Sequence, residues 1–408
     1  MSIETATPPD TLAWRRPPPE ETVRRVLERR PLLGLTRLAD ITHLDRIGVP
    51  VVLAVRPQAR YLSVDAGKGM TLALARASAA METVERHAGE AARPPSWRAT
   101  YPQCAAEHRV IDRVGLPLSR HSLFSDALVI DWTLAWDMVS DEDVAVPLEI
   151  VALDRFRRNA RETLPFQTGS NGLSAGNTLA EAIFGGLCEL IERDALACMR
   201  RAWEHFDRPP PRLRLEAASP GIGPATHALL DRFAAAGIEI AAFDCRSDID
   251  VPVYMVYAID RLTPHFGLFR GYGCHIDPET ALQRALTEAA QGRLVTIAGS
   301  RDDLFGFNRI LGRPNYDAAA DIVAALPVTA ALAARDLEAP QDPDHGIFYL
   351  VERLRRAGLV QVIVADLTVP EIGIPAVRVI VPGLEGYVFE SYSPGLRARR
   401  IDTAEENN

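Results

Sequence analysis

Apolar runs of strand length alternate with stretches of helical periodicity along this chain. Val- and Ile-rich runs occur at Ile47–Pro57, Ala127–Asp137, Val144–Leu153, Ile238–Arg246, Val251–Asp260, Phe266–Gly273, Leu359–Thr368 and Ile374–Pro382, and read as strands. The Ser140–Asp143 turn makes Ala127–Asp137 and Val144–Leu153 neighbouring strands. Helical patterns cover Glu20–Arg30, Thr71 to about Glu90, Thr178 to about Trp203, Ala225–Ala236, Asp277–Ala298, Ala318–Ala325 and Ile347–Ala357. Pro209, Pro210 and Pro211 stop the central helix, and Gly237 closes the next. Pro94–Leu118 reads as polar and irregular, and Gly299–Tyr316 as a loop-rich connection. Strands and helices interleave throughout, so the expected class is α/β (α+β). The expected organisation is a disordered extension with a short helix at 1–34, one large domain at 35–394 and a flexible tail at 395–408.

Within this pattern one stretch repeats. Ser170–Asp194 (SNGLSAGNTLAEAIFGGLCELIERD) reads as a glycine-bearing loop followed by a helix, with Asn177 or Thr178 as N-cap. Glu189, Glu192 and Arg193 share one helix face, and Glu181 lies two turns earlier. Gly69–Arg86 aligns with Gly176–Arg193 without a gap. Gly69, Thr71, Leu72, Ala73, Ala75, Glu82, Glu85 and Arg86 are each matched by an identical residue. A weaker third copy begins at Asp277, where Ala281, Glu288 and Gln291 align with Ala182, Glu189 and Glu192. The copies are too far apart for a solenoid. They suggest one domain built from repeated loop–helix and strand units, each adding a polar helix face to a shared site.

Two readings of the repeated Glu-x-x-Glu-Arg compete. As surface features, Glu82–Arg86 and Glu189–Arg193 are ordinary i, i+4 pairs worth about 0.3–0.5 kcal/mol each. As a site, Glu82, Glu85, Glu189 and Glu192 supply hard oxygen ligands for Mg²⁺ bound with a triphosphate. Lys68, Arg86, Arg193 and Arg284 would then meet phosphates. Recurrence together with the preceding glycine loop favours the site. No GxxxxGK[ST] loop is present, and GIGPAT and GYGCHI lack the third glycine of a dinucleotide fingerprint. A nucleotide would therefore be held by a different architecture.

Composition narrows the classes further. A net charge of −9 argues against a nucleic-acid binder. The five cysteines form no CxxC pair, which fits neither zinc nor a disulfide framework; Cys188 and Cys198 read as core thiols. The nine histidines are scattered, with His87 and His275 nearest the repeats. No apolar run reaches membrane-spanning length and no signal peptide is evident, so a cytoplasmic location and no membrane association are expected.

At the repeated residues the sequence resembles the YcaO family of ATP-dependent enzymes that modify peptide backbones. The resemblance rests on Ser78-x-x-x-Glu82-x-x-Glu85-Arg86, on Asn177-x-x-x-Glu181-Ala182 leading to Glu189-x-x-Glu192-Arg193-Asp194, and on Arg284-x-x-x-Glu288-x-x-Gln291-x-Arg293. AVRP at Ala54–Pro57, GKG at Gly67–Gly69, DLT at Asp366–Thr368 and VPGLE at Val381–Glu385 match as well. It spans about Leu35 to Pro394 and implies the YcaO fold with ATP and Mg²⁺ as cofactors. Glu82, Glu85, Glu189 and Glu192 would hold Mg²⁺. Lys68, Ser78, Ser174, Asn177, Glu181, Arg193, Arg284 and Glu288 would contact the nucleotide or the metals. The implied substrate is a peptide or protein whose backbone amide oxygen is phosphorylated.

Azoline-forming members usually end in Pro-x-Pro-x-Pro, whereas this sequence ends AEENN. Its Val381–Tyr392 segment is more similar to members that work with a TfuA-type partner, some of which install thioamides. Thioamide formation with such a partner is therefore the first expectation. Azoline formation is the second; a nucleotide-binding scaffold or ribosomal-protein modification factor is the third. Family members are often homodimers.

Overall fold

Three equivalent positions of the repeat, Thr71, Thr178 and Asp277, each accept a hydrogen bond from the backbone N–H three residues ahead, at 3.3, 3.1 and 2.8 Å. Each is the N-cap of a long helix. The N-cap of the central helix is thus Thr178, not Asn177. The computed structural model describes residues 17–406 apart from 93, 154–164, 217, 218, 220, 265–267, 302–315, 335–339, 341 and 387–392. Residues 1–16 of the extension expected at 1–34 and most of the expected 299–316 connection lie outside the described residues.

In chain order the first half forms α1 (Pro19–Glu28), α2 (Arg30–Leu33), β1 (Arg37–Asp40), β2 (Val51–Val55), β3 (Val64–Lys68), α3 (Leu72–Ala91), β4 (Trp97–Ala99), α4 (Tyr101–Glu107), β5 (Ile130–Asp137), β6 (Glu142–Pro147), α5 (Leu148–Val151), β7 (Leu173–Ala175) and α6 (Leu179–Phe206). The second half forms β8 (Arg212–Leu213), α7 (Pro224–Ala235), β9 (Ile238–Asp244), β10 (Val253–Asp260), β11 (Phe269–Cys274), α8 (Pro278–Ala298), α9 (Tyr316–Ala325), β12 (Val328–Ala330), α10 (Pro343–Arg356), β13 (Ile363–Asp366), β14 (Ala376–Ile380) and α11 (Leu396–Glu406). The mixed α/β class is as the sequence pattern predicts.

The described strands make three sheets, in the orders β1-β2-β3, β11-β10-β9-β8-β12 and β4-β5-β13-β14-β7, with β6 paired to β5. Each repeated helix lies on one of them: α3 on β3 and β2, α6 on β14 and β7, α8 on β11 and β10. Each also touches a neighbouring sheet. Helix α3 meets β7 and β14, α6 meets β11, and α8 meets β3. The three units therefore close into a ring. Strand β10 shows why its sequence is apolar throughout: Met255 and Tyr257 pack in the core shared with α6, while Tyr254 and Val256 pack in the core shared with α8.

Three segments depart from the sequence pattern. Pro94–Leu118, read as irregular, contains β4 and α4. Helix α4 starts at a capping box in which Thr100 and Gln103 satisfy each other's backbone N–H. The apolar run Val144–Leu153 is a strand only to Pro147, after which one helical turn, α5, follows. Where a flexible tail is expected at 395–408, α11 forms and docks on α6. Its Arg397 donates to the buried Asp194 carboxylate at 2.8 Å and also pairs with Asp248. Asp194 additionally accepts the Glu385 backbone N–H at 3.0 Å. Glu385 in turn accepts the N–H groups of Gly395 and Ala398 at 2.7 and 2.8 Å. Asp194→Ala leaves Arg397 buried without this partner. A loss of about 3–5 kcal/mol in urea unfolding is expected; a loss under 1 kcal/mol would show that the pair does not anchor the tail.

Candidate metal and nucleotide cleft

On each repeated helix a stripe of half-buried polar residues interrupts an otherwise buried face. The stripes are Ser78, Glu82 and Glu85 on α3, then Glu181, Glu189 and Arg193 on α6, then Arg284, Glu288 and Gln291 on α8. Their spacing of three and four residues aligns them along one side of each helix. Ring closure brings the three stripes together. Lys68 of β3 forms an ion pair with Glu288 of α8, 220 residues away. Gln291 donates its amide to the Ala66 carbonyl at 2.6 Å.

The electrostatics divide the cleft into two poles. At one, burial raises the Glu85 carboxyl well above its ordinary range, and the negative charges of Glu82 and Glu189 add to the effect. Glu189 is raised too, by burial, against the opposing charge of Arg193. At the other pole, burial pushes Glu192 up to about 7, with Arg193 and Lys68 opposing and Glu288 and Glu189 adding. Burial also acts on Glu288, but Lys68 and Arg193 hold it below its ordinary value. The i, i+4 pairs of the surface reading do exist: Glu82–Arg86 at 2.7 Å and Glu189–Arg193 at 3.6 Å. Their side chains are half-buried instead of lying on a solvated face.

The remaining expected residues lie as follows. Ser78 precedes Glu82 by one turn on α3, and Gly185 on α6 is its repeat equivalent. Ser174 sits in β7 opposite Val377, with its hydroxyl over Gly185. Asn177 accepts from the Thr22 hydroxyl at 3.0 Å and from Arg25 at 3.4 Å, so α1 reaches the start of α6. Glu181 accepts the Asn177 backbone N–H at 2.8 Å. Arg284 donates to the Cys274 carbonyl at 2.8 Å.

Two charged residues missed in the sequence lie behind the carboxylates. Arg378 is one of five consecutive buried residues of β14. It donates to the carbonyls of Val151 and Asn171 at 3.2 and 2.7 Å, and one terminal nitrogen has no hydrogen-bond partner. Burial lowers its pKa to about 10, against the pull of Glu189 and Glu85. Asp65 of β3 is buried between Arg56 and Arg86, at 3.5 and 3.8 Å. The signal for Arg378 is a lone charge inside the apolar strand AVRVI; Asp65, in VDAGK beside Lys68, carries no such signal.

An oxygen-only donor set with mutually repelling carboxylates fits a hard divalent cation. Among the described residues, no three His, Cys, Asp or Glu side chains gather into a metal cage. The raised carboxyls carry a sign. Their contribution to stability is complete below the ordinary value of 4.5 and lost as pH rises through the folded value, about 7 for Glu192. The metal-free protein should therefore lose melting temperature between about pH 5 and pH 8, and Mg²⁺ should restore more at pH 8 than at pH 5. Melting curves with and without Mg²⁺ test this, and equal Mg²⁺ effects at both pH values would contradict it.

Comparison with known proteins adds the family. The model of a family described as YcaO cyclodehydratase, ATP- and Mg²⁺-binding, matches residues 66–385. An uncharacterized protein of Methanothermobacter thermautotrophicus is 34% identical over 396 residues, covering 93% of this chain and 97% of its own. A Rhizobium leguminosarum bv. trifolii protein, described by its place in the tfuA 3′ region, is 34% identical over 384 residues, covering 90% of this chain and 87% of its own. Among solved structures, YcaO from Methanopyrus kandleri bound with AMPPCP and Mg²⁺ superposes with a TM-score of 0.72 at 26% identity, covering 93% of this chain and 95% of that one. A heterocyclase in complex with substrate and cofactor shares the fold, with a TM-score of 0.77 at 23% identity over 96% of this chain and 55% of that one. Among the described residues no helix is long and apolar enough to cross a membrane. With the family model covering most of the chain and relatives matching it nearly end to end, the chain belongs to the YcaO family, whose cofactors are ATP and Mg²⁺.

Proposed function

We propose that this protein activates a peptide backbone amide by phosphorylating its oxygen, for thioamide formation with a TfuA-type partner and a sulfide donor. The substrate is a ribosomally made peptide or protein. The observation that carries the reading is the relative in the tfuA 3′ region, similar over nine-tenths of the chain. The cleft supplies chemistry in keeping with it. Glu82, Glu85, Glu189 and Glu192 would hold Mg²⁺. Lys68, Arg193 and Arg284 would neutralise phosphate charge, and Ser78, Ser174, Asn177, Glu181 and Glu288 would orient the nucleotide. When bound, ATP with Mg²⁺ supplies the phosphoryl group that turns a poor leaving oxygen into phosphate. The residues of this chain contribute positioning and charge stabilisation, with no covalent step of their own.

Azoline formation is the second reading, favoured by the cyclodehydratase description of the family. Incubation with ATP, Mg²⁺, sulfide, the partner and a candidate peptide separates the two by product mass. Thioamidation exchanges one oxygen for sulfur, whereas cyclodehydration removes one water. Water loss without sulfur incorporation would sink the thioamide reading. ATP binding with neither product, in the presence of a peptide encoded beside it, would favour a scaffold.

A further inference from the structure

Five acidic and basic side chains alternate inward from Glu82. Glu82 pairs with Arg86 at 2.7 Å, Arg86 with Asp65 at 3.8 Å, Asp65 with Arg56 at 3.5 Å, and Arg56 with Glu90 at 2.8 Å. The Arg86 guanidinium also lies over the Tyr61 ring, 5.3 Å from its centre. Glu90 closes the series by accepting the Tyr61 backbone N–H at 3.0 Å. Arg56 and Asp65 are 1% and 3% exposed, which removes them from direct contact with a ligand.

This inner half is a poor way to stabilise a fold. Both Asp65 oxygens and the Arg56 Nε are buried without a hydrogen bond. Apolar residues of similar volume commonly serve a core as well or better than a buried ion pair. Asp65 corresponds to Gly172 and Gly271, so only the first unit has a carboxylate at this position of the repeat. It is also the unit whose arginine lies beside Glu82, paired at 2.7 Å, and Glu85.

There Arg86 is a competitor. A guanidinium that neutralises Glu82 and Glu85 fully opposes the entry of Mg²⁺, because both cations need the same carboxylates. A second carboxylate behind Arg86 shares its charge and holds it back. Arg56 and Glu90 hold that carboxylate in place. We propose that Asp65 and Arg56 are positioning residues for Mg²⁺, acting through Arg86 to keep Glu82 and Glu85 available to the metal. The proposal rests on the reading of those glutamates as metal ligands.

The test is a Mg²⁺ titration of AMPPCP binding, followed by calorimetry on the full chain. Asp65→Asn keeps the shape and removes the charge. It is expected to raise the half-saturating Mg²⁺ concentration about tenfold, with AMPPCP affinity at saturating Mg²⁺ changed less than twofold. Asp65→Glu should recover part of the shift. On an Arg86→Gln background, Asp65→Asn should add nothing, since its effect passes through Arg86. Asp260→Asn is the control: it removes another buried carboxylate, paired with Arg46 at 2.7 Å and Arg293 at 2.8 Å, and should leave the Mg²⁺ dependence unchanged. If Asp65→Asn does not fold, Arg56→Lys takes its place with the same expected direction. A folded variant with lowered melting temperature and unaltered half-saturation would overturn the proposal. Wild-type AMPPCP binding without any Mg²⁺ dependence would overturn the metal reading itself, and this proposal with it.

Discussion

Glu192→Gln is expected to weaken Mg²⁺-dependent nucleotide binding by about 100-fold or more while stabilising the nucleotide-free protein. The first part follows from removing a carboxylate that would touch the metal. Altering only the groups behind metal ligands already costs about 10–100-fold in affinity or activity. The second part follows from burial. Glu192 is 8% exposed, and its carboxyl is pushed from an ordinary 4.5 to about 7. Ionising it inside the fold therefore opposes stability, fully so once pH exceeds about 7. Glutamine keeps the shape of the protonated acid and never ionises. A gain on the order of 1–3 kcal/mol at about pH 8 is expected, smaller at low pH where the wild type is already protonated. Loss of AMPPCP binding together with a raised melting temperature would mark a functional group kept against stability. A lowered melting temperature with binding retained would make Glu192 structural.

Gly67→Val should abolish folding. A Cβ at Gly67 would lie 2.0 Å from the Ala79 nitrogen and 2.4 Å from the Ala75 carbonyl oxygen, both backbone atoms of α3. Neither can move without lifting the helix that carries Glu82 and Glu85 off its sheet. Gly271 and Gly273 hold β11 equally close to α8, with backbone atoms 2.0 and 2.1 Å from their Cβ positions. The central unit reaches the same closeness differently. Ser174 stands at the strand position equivalent to Gly67, and Gly185 on α6 makes room for its hydroxyl, whose oxygen would lie 2.7 Å from a Cβ there. A destabilisation above about 4 kcal/mol, seen as insoluble protein or absent cooperative melting, is expected for Gly67→Val. Gly169→Ala, with nothing within 4 Å of the added carbon, should stay within about 0.5 kcal/mol of wild type. A soluble, cooperatively melting Gly67→Val protein would show that α3 need not lie so close to its sheet.

Much of the cleft was legible because helix geometry is local. Residues three and four apart share a face wherever the helix goes, so Glu82 with Glu85 and Glu189 with Glu192 could be paired without knowing the fold. Capping is local as well: Thr71, Thr178 and Asp277 start their helices by reaching three residues ahead. Short elements were hidden for the opposite reason. Helix α4 has seven residues and too few turns to show a period, although its Thr100/Gln103 box was present in the sequence. The tail was misread because its charged composition resembles a solvated segment. Its anchors are far away in sequence: Arg397 pairs with Asp194, 203 residues earlier, and Glu385 accepts the Gly395 and Ala398 N–H groups.

The sequence by itself determined three loop–helix units, a glutamate-bearing face on two of them and a resemblance that the family comparison bears out. Only the tertiary structure decided what those faces meet. It closed the units into a ring, set Lys68 against Glu288, placed Arg378 and Asp65 behind the carboxylates and divided the glutamates between two poles. The reason is physical. Periodicity and capping act over one or two turns of chain, whereas burial and charge pairing depend on contacts between residues far apart in sequence. It is burial that raises the Glu192 carboxyl to about 7 on a helix whose charges the sequence alone could read as solvated.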